Sequence, residues 1–142
     1  MKKIIAALLF SVLSTNVFAG SGKAIVPHWY INGTYDQSFQ IYISNTTEHT
    51  LDVSITVYKD DGTTRTATEE GQITNGTLAA GKSGWFAIAS ASAQEFGYAV
   101  IEWSNQGTDE DLVGLTAHAA STRLNTTTNF AYSVPINNGQ PF

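Results

Sequence analysis

The chain has 142 residues, of which seven are lysine or arginine, 12 are aspartate or glutamate and none is cysteine, so its formal net charge is −5. An acidic surface argues against nucleic acids and anionic membranes as partners, because a few scattered cations cannot neutralise enough phosphates. The lack of cysteine excludes cysteine-type nucleophilic catalysis and leaves stability to the hydrophobic core.

The first 19 residues have the pattern of a secretory signal peptide, in which Lys2 and Lys3 precede an apolar run and small residues end the segment at Ala19. We predict cleavage after Ala19, export to the periplasm or the outside of the cell, and one domain over residues 20–142. Because no later segment is long and apolar enough to span a bilayer, we predict no transmembrane segment in the mature chain. Without the two lysines, five basic side chains remain against 12 acidic ones, a net charge of −7.

The clearest strand pattern runs from residue 39 to residue 62. Apolar side chains at positions 39, 41 and 43, and again at 51, 53, 55 and 57, alternate with polar ones, which is typical of two strands with one buried face. The polar residues 45–50 separate the strands, and Asp60-Asp61-Gly62 is a turn in which Gly62 can adopt positive φ. The pattern predicts a β-hairpin whose apolar face is covered by a second layer.

Five further runs predict strands at residues 24–31, 84–88, 96–103, 112–120 and 130–136. Pro27 cannot donate to a ladder and puts the first run at a sheet edge or a kink. The nearly continuous apolar run at 96–103 predicts a central strand, and with 112–120 it has the pattern of a second hairpin. Residues 89–95 have the only helix-forming composition, enough for a turn or two.

About seven or eight short strands with turn signals between them predict an all-β fold, a single antiparallel β-sandwich. The chain ends in Gln140-Pro141-Phe142. We expect this tail to be frayed at the surface rather than docked in a groove.

Catalytic and metal-binding patterns are weak. None of the three histidines, His28, His49 and His118, lies beside a nucleophile motif. Zinc would require three or four ligands at short spacings, although His28 and His118 both lie in predicted strands and could meet on one face. The oxygen-rich loops 60–62 and 109–111 lack the spacing of an EF-hand, so calcium there stays open. We predict a protein that is not an enzyme and has no cofactor and no metal site.

Aromatic residues are numerous for a domain of this size, and several occupy positions opposite the predicted apolar faces. Exposed rings on a sheet can stack on sugars or form protein interfaces. We therefore take Tyr42, Tyr58, Trp85 and Trp103 as candidate ligand-binding residues. The alternative is that these rings fill the core or cover the sheet edges.

Three segments, IYISNTTEHTLDVSITVYKDDGT, GYAVIEWS and LVGLTAHAASTRLNTTTNFAYSVPI, resemble in this order the sensory rhodopsin transducer family of small bacterial β-sandwich proteins. The resemblance covers residues 39–136. It implies a homo-oligomeric sandwich that binds small molecules, sugars among them, without chemistry. The rhodopsin-partner role does not carry over, because it belongs to a cytoplasmic protein and this chain has an export signal. No ligand-binding residue is transferred.

Two functions remain open at this stage, and we expect self-association. The first is a secreted, non-enzymatic binding module for a small molecule, glycan or protein partner, which predicts aromatic side chains around a concavity. The second is a structural subunit of a homo-oligomeric or filamentous extracellular assembly, in which edge strands such as 24–31 or 130–136 pair between chains. It predicts a long unprotected edge or a flat apolar patch.

Overall fold

The computed structural model describes residues 20–35, 37–66, 69–71, 73, 76–89, 93–123 and 130–142, with the backbone alone for residues 69, 70 and 130. The predicted signal peptide lies outside the described residues, and so do residues 90–92 of the stretch with helix-forming composition. Within the described ranges, no helix has the length and apolar character needed to cross a membrane.

Ten strands and two short segments of 3-10 helix form in this part of the chain. The strands are β1 (Ser21–Asn32), β2 (Gln37–Asn45), β3 (Leu51–Lys59), β4 (Thr64–Arg65), β5 (Glu69–Gly71), β6 (Thr77–Leu78), β7 (Ser83–Ile88), β8 (Gln94–Asn105), β9 (Leu115–Arg123) and β10 (Phe130–Pro135). The 3-10 segments are Gly33–Tyr35 and Asn137–Gly139. Three strands, β4, β5 and β6, have only two or three residues.

The strands form two antiparallel sheets packed against each other. The first sheet has the order β1-β8-β3-β4, with β6 also paired to β3, and the second has the order β10-β9-β2-β7-β5. Buried apolar side chains from both sheets form one core between them. The predicted antiparallel β-sandwich is confirmed.

Two strand positions follow the sequence closely. β1 is an edge strand, and its register against β8 shifts between Val26 and Trp29, on either side of Pro27. A proline has no amide hydrogen for a ladder, so a bulge at an edge accommodates it. The apolar β8 pairs with β1 on one side and β3 on the other, so its predicted central position is confirmed.

The predicted hairpin over residues 39–62 is wrong, although the buried face of each strand is right. The buried apolar residues are Phe39, Ile41 and Ile43 in β2, and Leu51, Val53 and Val57 in β3. Yet β2 lies in the second sheet and β3 in the first. Residues 46–50 carry the chain across the end of the sandwich, so the two apolar faces meet through the core. The expected hairpin of β8 with β9 is wrong for the same reason.

One predicted turn is confirmed. Asp60-Asp61-Gly62 joins β3 to β4, with Gly62 at φ 81° and its amide donating to the Lys59 carbonyl at 3.0 Å. Glycine adopts this left-handed conformation without the steric cost that a side chain would add.

Two buried asparagines hold the loops that cross between the sheets. Asn45, the last residue of β2, donates through Nδ2 to the carbonyls of His49, Leu78 and Ala79 at 2.8, 3.0 and 3.1 Å. Asn105, the last residue of β8, donates to the carbonyls of Asp109 and Asp111 at 3.0 and 3.5 Å. Backbone carbonyls inside a loop need donors, and these amides supply them where no ladder can.

The C-terminal residue is docked, so the expectation of a frayed tail is wrong. The Phe142 amide donates to the Leu115 carbonyl at 2.9 Å, and the Phe142 carbonyl accepts from the amides of Gly114 and Leu115 at 3.0 and 3.1 Å. The buried indole Nε1 of Trp103 donates to the same oxygen at 2.7 Å. Phe142 is 9% exposed and belongs to the core. Burial of its ring and these hydrogen bonds together outweigh the entropy of a free tail.

Asn45→Ala should lower the free energy of unfolding by about 2 to 4 kcal/mol, because three carbonyls each lose a hydrogen bond and one of them, that of Leu78, lies at a buried position. Urea denaturation followed by tryptophan fluorescence measures this. The control is Asn32→Ala, at the end of β1, where the side chain is only half-buried and accepts from the Thr34 amide at 3.1 Å. A loss below about 1 kcal/mol is expected there, and an equal loss in both variants would contradict the anchoring role of Asn45.

Candidate functional site

The outer face of the first sheet, meaning the side of β1, β8 and β3 turned away from the second sheet, carries side chains in cross-strand rows. Pairing of β8 with β3 places Asp52 beside Ser104, Ser54 beside Glu102, Thr56 beside Val100, and Tyr58 beside Tyr98. Pairing with β1 adds Lys23 beside Glu102 and Ile25 beside Val100. The face is therefore polar at one end and aromatic or apolar at the other.

The polar end forms a cleft of about 400 Å³, which we call the quartet cleft. Its four outward side chains are Asp52, Ser54, Glu102 and Ser104, and Val53, Gly76 and Trp103 also line it. The register puts a hydroxyl directly opposite each carboxylate. Side chains opposite each other in an antiparallel pair lie about 5 Å apart, close enough for both to contact one small ligand.

Neighbouring polar groups hold the two carboxylates of the cleft. Gln106 Nε2 donates to Asp52 Oδ1 at 2.7 Å, and Lys23 Nζ donates to Glu102 Oε1 at 3.1 Å. The side chains of Lys23 and Glu102 are 59% and 50% exposed, so this ion pair is solvated. The contacts orient the carboxylates without removing them from water.

The aromatic end of the same face is built around a stacked pair. The rings of Tyr58 and Tyr98 have centroids 4.8 Å apart and planes within 12° of each other. Phe96 and Ile25 are also exposed on this face, and Tyr30 pairs with Phe96 across β1 and β8. Because the tyrosines cover one another's inner faces, they present edges, hydroxyls and outer faces to a ligand.

The outer face of the second sheet carries a different aromatic row. Tyr42 lies between His118 on β9 and Trp85 on β7, and its ring stacks on His118 at 4.9 Å between centroids. The Trp85 indole lies flat against Gly71 of β5, where an added Cβ would come within 2.2 Å of Nε1. Only glycine fits beneath this indole, so one face of the Trp85 ring serves packing.

The four predicted ligand-binding residues do not converge. Tyr58 lies on the outer face of the first sheet, Tyr42 and Trp85 lie on the outer face of the second, and Trp103 is 3% exposed in the core. Trp103 contributes to the quartet cleft only as part of its lining, because its ring points inward and its Nε1 is bonded to Phe142. The alternative that these rings fill the core therefore applies to Trp103.

Sequence reasoning missed the four polar side chains of the cleft. Each of them occupies an outward position in an alternating strand, so the period-two pattern identified their face. These side chains converge only because β3 pairs with β8. The local sequence pattern gave no sign of this pairing and instead predicted that β3 pairs with β2. One signal for the site was present in the sequence. A carboxylate and a serine lie two residues apart in each of two separate strands, at 52 and 54 and at 102 and 104.

A second cluster lies where the two crossing loops meet. His49 Nδ1 is 2.8 Å from Asp111 Oδ2, and His49 Nε2 is 3.7 Å from Asp109 Oδ1. The hydrogen bond to Asp111 is the main cause that raises the pKa of His49 above its ordinary value of 6.5; partial desolvation opposes it, and the charges of Asp109, Asp111 and Glu48 add to it. The cluster is an ion pair between the loops when His49 is protonated.

The other metal-ligand candidates from the sequence either lie far apart or already accept hydrogen bonds within a turn. His28 lies in β1 of the first sheet and His118 in β9 of the second, so they do not meet on one face. Asp61 Oδ1 accepts from the Thr63 amide and hydroxyl at 2.8 and 2.6 Å, which lowers the pKa of Asp61. These bonds close the turn after β3, so the carboxylate has a structural role there.

Comparison with known proteins supports the architecture. The fold is similar to that in the crystal structure of Thermotoga maritima 1070, with a TM-score of 0.53, 15% sequence identity, and coverage of 81% of this chain and 91% of that one. At this identity the likeness concerns the fold alone. No family model matches the chain, and no curated protein matches it. The resemblance to the sensory rhodopsin transducer family stays a prediction.

The His49 ion pair predicts a pH dependence of stability. Because folding raises the pKa of His49, its contribution is fully present below about pH 6.5 and is lost as the pH rises through the folded-state pKa. Wild type should therefore exceed His49→Gln in urea midpoint at about pH 5.5, and the difference should shrink at about pH 8.5. His28→Gln, in the bulge of β1, is the control, and its urea midpoint should equal that of wild type at both pH values. A difference that stays constant between the two pH values would refute the assignment.

Proposed function

We propose that this protein is a secreted, non-enzymatic binding module that holds a neutral or amino sugar in the quartet cleft. The observation that carries the proposal is the pairing of two carboxylates with two hydroxyls in one cleft, next to an exposed apolar and aromatic surface on the same sheet face.

Hydrogen-bonding capacity favours a ligand rich in hydroxyl or amino donors. An ionised carboxylate only accepts hydrogen bonds, while a serine hydroxyl both donates and accepts. Asp52 and Glu102 can therefore accept from adjacent hydroxyls of a sugar, and Ser54 and Ser104 can complete the pattern in either direction. Hydrogen bonds to charged groups are the stronger ones, at about 1.5 to 3 kcal/mol each.

Charge favours a neutral or cationic ligand over an anionic one. Two carboxylates line the cleft against one nearby lysine, and the predicted mature chain has a net charge of −7. A phosphorylated or carboxylated ligand would meet repulsion at close range. A sugar with free hydroxyls or an amino group would not.

The apolar and aromatic end supplies the second half of a sugar site. Sugars present a face of C–H groups as well as hydroxyls, and aromatic or aliphatic side chains contact such faces. Val100 and the Tyr58–Tyr98 pair follow the cleft along β3 and β8, in the next cross-strand rows. A bound sugar could therefore contact carboxylates at one end and apolar surface at the other.

Binding without catalysis fits the setting of the carboxylates. A general acid for glycoside hydrolysis must hold its proton near neutral pH, which requires desolvation or a neighbouring negative charge. Glu102 is half exposed and contacts Lys23, and Asp52 is exposed and contacts Gln106. Both carboxylates are therefore solvated and each lies beside a hydrogen-bond donor, a setting without the desolvation that a general acid needs.

The proposed setting is outside the cytoplasm. It rests on the basic start, apolar run and small residues of positions 1–19. Fusing the first 25 or so residues to a reporter that is active only after export would test it, with Lys2→Glu plus Lys3→Glu as the export-deficient control.

A glycan array carrying neutral, amino and acidic sugars, probed with the chain from Gly20 onward, should show binding to neutral or amino sugars only. Asp52→Asn and Glu102→Gln should each raise the dissociation constant of the best binder by about 10-fold or more in calorimetry, since each removes a charged acceptor. Trp85→Ala, on the other sheet, is the matched control and should bind as wild type.

Two results would count against the proposal. One is an array without any bound sugar at high protein concentration. The other is binding that Trp85→Ala abolishes while Asp52→Asn and Glu102→Gln preserve it, which would move the site to the outer face of the second sheet. Circular dichroism of every variant separates loss of binding from loss of folding.

A further inference from the structure

A second cavity lies between the two sheets, behind the quartet cleft, and we call it the inner pocket. It has a volume of about 250 Å³ and is lined by Val53, Ser54, Ile55, Ile73, Gly76 and Phe86. Its apolar walls come from both sheets, because Ile55 of β3 packs against the core from the first sheet and Phe86 of β7 belongs to the core from the second. The inner pocket is therefore suited to an apolar group.

The inner pocket and the quartet cleft adjoin each other. Val53, Ser54 and Gly76 line both cavities. Gly76 has no side chain to close the passage between them. A ligand whose polar part lies in the cleft can therefore extend an apolar part into the pocket.

The two cavities meet at a gap in the outer edge of β3, the edge turned away from β8. On this edge β6 pairs with residues 51–52 and β4 pairs with residues 57–58. Among the strands that the structure describes, none pairs with residues 54–56 on this side. The gap gives a ligand access to the space between the sheets at the point where the cleft ends.

Backbone groups of Ile55 face this gap. The amides of Val53 and Lys59 donate across the outer edge, to the carbonyls of Gly76 and Thr63 at 2.7 and 2.8 Å. In an antiparallel strand, backbone groups two residues apart point to the same side. The amide and the carbonyl of Ile55 therefore point outward between these two bonds, where a ligand can pair with them.

The volume of the inner pocket limits the length of the group that it can hold. A water-sized group occupies about 30 Å³ in a liquid. A pocket of about 250 Å³ therefore holds on the order of eight such groups when it is fully packed. A short chain fills this space, and any further methylene would remain in water.

We propose that the inner pocket binds a short acyl chain, of about six to eight carbons, that an amino sugar in the quartet cleft carries through an amide. The inference rests on the proposed function, because it takes the sugar in the cleft as given and adds its substituent. An amide offers one donor and one acceptor, which match the carbonyl and the amide of Ile55 in the gap. Acylation also leaves the sugar uncharged, so the ligand remains a neutral one.

The test is calorimetry of the chain from Gly20 onward with N-acetyl-, N-butanoyl-, N-hexanoyl-, N-octanoyl- and N-decanoyl-glucosamine and the same galactosamine series, each below its micelle-forming concentration. The dissociation constant should fall about 3-fold with each added methylene up to the octanoyl compound, because each methylene leaves water for the pocket. It should then level off, since the decanoyl chain exceeds the available volume.

Variants that change the size of the pocket should change the preferred chain length. Ile55→Phe should fill part of the pocket and move the levelling-off to shorter chains, whereas Ile73→Ala should enlarge it and move the levelling-off to longer ones. Asp52→Asn should weaken every member of the series by a similar factor. Val134→Ala, a truncation in β10 at the opposite edge of the second sheet, is the control and should give the wild-type profile.

The outcomes separate this inference from the proposed function. Acylated sugars that bind equally well at every chain length would overturn the inference alone, and so would a profile that neither Ile55→Phe nor Ile73→Ala changes. N-methyloctanamide carries the amide and the chain without a sugar. If it binds wild type as tightly as the acylated sugars and Ile55→Phe weakens it, the acyl pocket is supported and the sugar in the cleft is overturned. Binding of neither the amide nor the sugars would overturn both proposals.

Discussion

Two buried asparagines anchor two of the places where this chain crosses from one sheet to the other. Asn45 ends β2 and Asn105 ends β8, and each side-chain amide donates to at least one carbonyl of the loop that follows it. A buried carbonyl without a donor costs about 1 to 3 kcal/mol, so these bonds favour loops that stay anchored across the end of the sandwich. At both points the chain leaves its own sheet and enters the other one.

The same crossings create the quartet cleft. Because the chain leaves the second sheet after β2, β3 enters the first sheet and pairs with β8, from which about fifty residues separate it in sequence. Serine precedes the anchoring asparagine in both strands, and the one in β8, Ser104, faces Asp52 in the cleft. The anchor that turns the chain therefore also places a cleft residue next to a fixed strand end.

Local periodicity explains how much of this was predictable. The alternation in residues 39–43 and 51–57 identified the buried faces correctly, because a strand with one buried face reads the same whichever strand it pairs with. The sequence did not indicate which strands pair, because a polar six-residue stretch such as 45–50 can either close a wide hairpin or cross between sheets. The prediction that the Trp103 ring is available to a ligand failed for a related reason. Trp103 sits at an inward position of β8, and the docking of Phe142 that covers it involves residues 39 positions apart.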